Sequence, residues 1–198
     1  PMVDEAINHP IYRGLNHRVE ERILRKATAI SVTTEGTVNL YALSMDEITS
    51  KMTVIPPLLS SPLMSQVTSG TDDKIRLVFT GTLYANIRRP DFLLGVFNEL
   101  LNTSLGDRLE LHFYGYTTQV EESFVPYKDQ LNKTIFLHGT VSRDSAIKAI
   151  AEADVLVNIG NTTTYQLPSK VVEYVSTGKQ IINISLIEND SSARFFED

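Results

Sequence analysis

Arg88 and Arg89 stand directly before Pro90, and Lys170 and Glu173 stand three residues apart just after Pro168-Ser169. A guanidinium is a planar, permanently charged fork that can hold phosphate oxygens two at a time. An ammonium in the first turn of a helix, beside main-chain N–H groups with no intrahelical partner, suits the same anion. At i, i+3 spacing Glu173 shares a helical face with Lys170, where its carboxylate can accept two hydrogen bonds from a ribose diol; the alternative is an i, i+3 surface ion pair with Lys170. A cation at a helix start opposes the helix dipole by about 0.3 to 1 kcal/mol unless a bound anion reverses the interaction. Exposed Lys and Arg near helix starts are common, so either pair alone reads equally well as surface charge. Two basic helix starts together favour a diphosphate ligand.

The elements that would position these side chains follow from periodicity. Short apolar or β-branched runs, each closed by a turn residue, alternate with stretches of helical spacing, the pattern of an α/β Rossmann-like parallel sheet with helices on both faces. The runs are 75–80 before Gly81, 109–114 before Gly115, 134–138 before Gly139, 155–159 before Gly160, and 180–184. Helices are expected over 91–102, with an apolar stripe of Phe92, Leu93, Val96, Phe97, Leu100 and Leu101; from Ser142 as N-cap; and over 169–177, closed by Gly178.

In such a sheet a ligand lies beyond the carboxyl ends of the strands. That places Gly81 and Thr82, where a missing side chain lets the backbone approach a phosphate, among the candidates. Gly115 and the segment Gly139-Thr140-Val141 could hold a flat base through main-chain amides and a short apolar side chain, or be plain tight turns. His112 and His138, each in an apolar strand, are read as structural residues.

Upstream, a charged amphipathic helix over 14–26, a strand over 27–33, a helix over 34–43 and a strand over 52–55 look like the end of another α/β unit. The stretch 56–73 is rich in Pro, Ser, Thr and Gly, as a linker would be, and a polar run ends the chain without an evident cap. The expected organisation is therefore a tail of one lobe over 1–57, a linker over 58–73 and a ligand-binding domain over 74–198, cut at both ends.

Composition removes several classes of function. A net charge of −6 gives no basic footprint for nucleic acid. Without cysteine there are no disulfides or thiolate metal sites, and the four histidines are scattered. No apolar run approaches the roughly 20 residues of a membrane span, and the first residues do not resemble a signal peptide. A cytoplasmic setting is expected, with no metal ligand set and no cofactor.

Phe79-Thr80-Gly81-Thr82-Leu83-Tyr84, then Arg88-Arg89-Pro90-Asp91, then Leu167-Pro168-Ser169-Lys170-Val171-Val172-Glu173-Tyr174 ahead of Gly178-Lys179 resemble the group 1 glycosyltransferases of the two-lobed GT-B fold, the last motif most specifically. Lys51-Met52-Thr53-Val54-Ile55-Pro56-Pro57 is similar to the strand by which that family leaves its N-terminal lobe. The resemblance implies that 74–198 is the lobe binding a nucleotide-sugar donor, UDP- or GDP-linked, and that a glycan or lipid-linked acceptor binds an N-terminal lobe of which only the tail is here. By likeness Glu173 matches the glutamate that binds ribose, Lys170 and Arg88 or Arg89 the cations at the donor phosphates, and Gly81 the glycine facing the diphosphate. The family's second glutamate, eight positions earlier and near the donor sugar, is replaced by Tyr165, with Asn161, Thr164 and Gln166 as polar substitutes. A retaining, metal-independent transfer in bacterial surface-glycan assembly is the implied activity, possessed by an intact enzyme and not by this part alone. Two alternatives stay open: a sugar-nucleotide epimerase of the same fold, and a non-catalytic nucleotide-sugar-binding module.

Overall fold

Strands β1 (Ile30–Val32) and β2 (Met52–Val54) pair in parallel, Ile30 opposite Met52 and Val32 opposite Val54. They are flanked in sequence by helices α1 (Arg13–Lys26) and α2 (Glu35–Met45). The computed structural model describes residues 12–58 and 73–197; the expected linker therefore lies almost wholly outside the described residues. Two units divide the chain, one of residues 1–57 with 163–167, the other of residues 58–162 with 168–198.

The first unit is held by Tyr41, Met45 and Ile48, against which Leu24, Ile30 and Met52 pack. Buried Ile48 lies in a 3-10 turn, Asp46–Lys51, that periodicity did not reveal. The strand expected over 27–33 is only three residues long, because Ala27 is already spent closing α1, its N–H donating to the Ile23 and Leu24 carbonyls. Thr34 caps α2 by accepting from the Thr37 N–H at 3.2 Å. The Thr34 and Thr37 hydroxyls also both donate to the Tyr165 carbonyl, at 3.0 and 2.9 Å, and Gly36 leaves room for the Thr164 carbonyl, which an added methyl would meet at 2.1 Å.

The second unit is a five-stranded parallel sheet of β3 (Ile75–Thr80), β4 (Leu109–Tyr114), β5 (Ile135–Gly139), β6 (Val155–Ile159) and β7 (Gln180–Ile184). Their spatial order is β5-β4-β3-β6-β7. The order reverses between β3 and β6, the topological switch point at which doubly wound sheets open a ligand crevice. One face carries Leu77, Phe79, Leu111, Phe113 and Val157 against α3 (Asp91–Leu101) and the short α4 (Glu121–Phe124); the other carries Val78 and Leu156 against α5 (Arg143–Glu152) and α6 (Lys170–Val175).

Helix α3 turns a slightly different face inward from the expected stripe. Leu93, Leu94 and Phe97 are fully buried, while Phe92 and Val96 are exposed. Two adjacent apolar stripes fit the same 3.6-residue period, and the shape of the β3–β4 surface selects between them. Ser142 caps α5, accepting from the Ser145 N–H, and Gly178 at φ +67° follows α6, both as expected from sequence. Helix α6 is shorter than expected, six residues, and the polar run at the end of the chain is a helix, α7 (Ser191–Glu197), begun by Asp190.

Candidate active site

Strand β3 delivers Gly81 to the switch point, and Tyr174 of α6 fixes where the strand ends. The Thr80 N–H donates to the fully buried Tyr174 hydroxyl at 2.8 Å, with the Thr80 hydroxyl 3.1 Å away. Burial pushes the Tyr174 phenol up to about 12, so it stays a neutral hydroxyl. Sequence reading passed over Tyr174, although its place one residue after Glu173 in the Pro168-to-Tyr174 motif was a usable signal.

Beyond Gly81 the chain makes a closed turn. Tyr84 and Arg88 exchange both main-chain hydrogen bonds, at 3.1 and 3.0 Å, while the Leu83 N–H donates to the Tyr116 carbonyl and the Thr162 N–H to the Ile87 carbonyl. The turn thus presents Arg88 across the switch point. Arg88 Nη2 and Nε donate to Oδ1 of buried Asn161, at 2.6 and 3.1 Å, and a methyl added at Gly81 would lie 3.6 Å from Nη1. Burial holds the Arg88 guanidinium below its usual range, opposed by nearby Tyr174, Tyr84 and Asp190. Arginine remains protonated in any case, so a partly desolvated cation sits at the crevice of a doubly wound sheet.

Arg89 points elsewhere. It pairs with Asp91 at 2.7 Å and Glu122 at 3.0 Å and donates to Ser123 Oγ at 3.1 Å. These exposed pairs contribute about 0 to 1 kcal/mol, and they neutralise the charge that made this helix start look anomalous in the sequence. Lys170 likewise meets Glu173, at 2.5 Å. The ion-pair reading of that spacing is realised, and the pair presents an ammonium and a carboxylate side by side.

Gly115 and Gly139 end neighbouring strands, and the Gly115 N–H donates to the Gly139 carbonyl at 2.8 Å. Thr82 is half-buried, Thr140 exposed and Val141 half-buried beyond the same edge; Pro168 is buried and Ser169 exposed at the start of α6. Gln166 falls in the 163–167 segment that groups with the first unit. Among the described residues no group of three or more His, Asp or Glu is arranged to hold a metal ion.

With this geometry in view, the family model described as glycosyl transferases group 1 matches residues 74–190. The chain belongs to the group 1 glycosyl transferases. No curated protein sequence matches it significantly. Among solved structures it is similar to TarM of S. aureus, crystallised as a mutant with fondaparinux, alpha-GlcNAc-glycerol and UDP, at TM-score 0.60 and 14% identity over 91% of this chain and 38% of TarM. It is also similar to the apo form of the lipopolysaccharide outer core galactosyltransferase WaaB, at TM-score 0.58 and 15% identity over 92% of this chain and 55% of WaaB. The chain therefore spans between 38% and 55% of the length of these proteins, and at such identity the likeness establishes the GT-B Rossmann-like fold.

Two histidines of this group 1 chain, His112 and His138, lie on the sheet face opposite Phe113. His112 Nδ1 is 3.0 Å from His138 Nε2, and His112 Nε2 is 3.2 Å from Glu110 Oε2. The His138 ring stacks on Tyr114 at 4.0 Å, and the His112 ring on Phe136 at 4.7 Å. This agrees with a structural reading of both. Burial lowers both histidines, against a raising contribution from Glu110 at His112 and with Arg76 and His112 respectively lowering them further. Below the ordinary histidine value the unfolded chain then binds more protons than the folded one, so this contribution is complete above about pH 6.5 and is lost as pH falls toward the depressed folded values. Melting temperature should fall from about pH 8 to about pH 5, and the slope should flatten in a His112→Gln/His138→Gln variant. Depressed carboxylates such as Asp91 titrate below that window. An unchanged slope in the double variant would show that the pair does not carry the effect.

Proposed function

We propose that this chain is the donor-binding part of a glycosyltransferase that takes a nucleotide-sugar, UDP-linked by preference, and passes the sugar to an acceptor hydroxyl in cytoplasmic assembly of a bacterial surface polysaccharide. The observation that carries the reading is Arg88, partly desolvated, oriented by Asn161 and adjacent to Gly81 at the switch point of the sheet. Family membership and the Lys170–Glu173 pair support it.

In this reaction the acceptor oxygen forms a bond to the anomeric carbon while the bond from that carbon to the diphosphate oxygen breaks. The leaving diphosphate takes the electron pair, and Arg88 and Lys170 stabilise its growing charge. The hydroxyl proton passes to a base on the acceptor side, contributed by the rest of the enzyme. On donor binding, before the bond breaks, Glu173 exchanges its ion pair with Lys170 for two hydrogen bonds from the ribose diol, releasing the ammonium to the phosphates. No metal or cofactor enters this reading, since the two cations supply the charge. Among the described residues no helix is long and apolar enough to cross a membrane.

Calorimetric titration of the 198-residue chain with UDP, GDP and ADP tests the proposal. One diphosphate should bind selectively, and Glu173→Ala and Lys170→Ala should each weaken it by about tenfold or more, the effect of losing a charged hydrogen bond. No binding by any of the three would sink the donor-site reading. Binding with no turnover by an intact enzyme would favour a binding module, and an altered sugar nucleotide formed without acceptor would favour an epimerase.

A further inference from the structure

Asp190 is 1% exposed, and its two carboxylate oxygens have different tasks. Oδ1 accepts from the Ser192 N–H at 3.2 Å, which is ordinary capping of α7. Oδ2 instead faces the sheet, accepting from Nδ2 of half-buried Asn183 and Oγ of exposed Ser185, each at 3.3 Å. Asn183 Oδ1 accepts in turn from Nδ2 of buried Asn158 at 2.6 Å, across the paired strands β6 and β7. The carboxylate also lies flat on Gly160: a methyl added there would meet Oδ2 at 2.5 Å and both other carboxyl atoms at 2.8 Å. Gly160 is the residue before Asn161, whose Oδ1 orients Arg88, and the Gly160 N–H is held by the Ile184 carbonyl at 2.9 Å. Arg88 also feels the Asp190 charge.

A cap alone explains none of the contacts of Oδ2. Linked hydrogen bonds anchored on buried groups, here Asp190 and Asn158, fix geometry more strongly than isolated contacts do. We propose that Asp190 is a positioning residue of the diphosphate site, acting through Gly160 and Asn161 to hold the Arg88 guanidinium across the switch point. The inference rests on the donor-site reading above and adds to it a residue that touches no ligand.

The substitution Asp190→Asn tests it. Asparagine caps a helix about as well as aspartate and has the same volume, so the helix start survives. What is lost is the carboxylate charge and one acceptor, since an amide cannot both cap α7 and accept from Asn183 and Ser185. In the 198-residue chain, UDP affinity is expected to fall about tenfold, and in an Arg88→Gln background the same substitution is expected to cost less than about twofold, the non-additivity of residues acting through one another. A second readout needs no ligand: hydrogen exchange of the Arg88 Nε–H by NMR should accelerate in Asp190→Asn, with melting temperature and circular dichroism checking the fold. UDP binding by the parent with unchanged affinity in Asp190→Asn, or with additive losses, overturns the proposal, as does an unchanged Nε–H exchange rate. If the parent binds none of UDP, GDP and ADP, the donor-site reading fails. Accelerated exchange would then show that Asp190 positions Arg88 for something other than a diphosphate, which also overturns the assignment.

Discussion

Gly115→Ala is expected to cost about 4 kcal/mol or more of stability, enough to leave much of the chain unfolded. Gly115 has φ +138°, in the region that side-chain-bearing residues avoid, and a methyl there would lie 1.9 Å from the Gly81 carbonyl oxygen and 2.7 Å from its carbon. The obstacle is backbone at the end of β3 and cannot swing aside. It is held by the Gly81 N–H bond to the Tyr114 carbonyl at 2.8 Å and by the Leu83 N–H bond to the Tyr116 carbonyl at 2.9 Å. Relieving the overlap would separate β3 from β4 at the ends that form the site, so strained backbone, overpacking and lost hydrogen bonds add together. Gly139→Ala is the control: its φ is +66° but nothing lies within 4 Å of the added carbon, so only the dihedral cost of about 1 to 2 kcal/mol applies. Urea midpoints of the two variants separate these effects. Equal losses would mean that the strand ends do not approach so closely.

Arg88→Ala is expected to lower UDP affinity by about 10- to 150-fold, the range for removing a charged hydrogen-bond donor from a partly desolvated site, while Arg89→Ala changes it by less than about threefold. The two residues are neighbours in sequence with identical chemistry, so the contrast isolates placement. Among its described side-chain bonds Arg88 donates to the neutral amide oxygen of Asn161 and makes no direct ion pair, the Asp190 carboxylate acting on it from behind Gly160, so in the proposed site the guanidinium can still meet a donor phosphate. Arg89 already balances its charge on Asp91 and Glu122. Some stability is lost in Arg88→Ala because Asn161 Oδ1 loses two donors, and a Tm measurement alongside calorimetry separates that from binding. Equal affinities for the two variants would remove Arg88 from the site.

The difference between those two arginines marks where sequence reading stops. The motif Arg88-Arg89-Pro90 left either residue open as the phosphate ligand, because nothing local says which side chain crosses to β6. The deciding contact spans 73 residues. The same limit hid Tyr174 and Asp190: each is an ordinary helical or loop residue until the sheet brings Thr80 or Gly160 against it. It also bears on Gly115, for which the sequence leaves open a base-holding main-chain amide or a tight turn: only the folded sheet shows that its side-chain space is taken by the Gly81 carbonyl and its N–H by the Gly139 carbonyl.

The sequence by itself determined the parallel sheet and the family. Strand runs ending in glycine and helices of 3.6-residue period are properties of neighbouring residues, set by backbone sterics and the burial of one face, and they placed β3, β4, β6 and β7 at their observed bounds. The Pro168-to-Tyr174 motif carried the resemblance, and residues 74–190 match the family model. Tertiary structure alone decided which face α3 buries, which arginine meets Asn161 and which pairs with Asp91 and Glu122, and what Asp190 packs against. Those outcomes depend on shape and charge meeting across strands distant in the chain, where local periodicity carries no information.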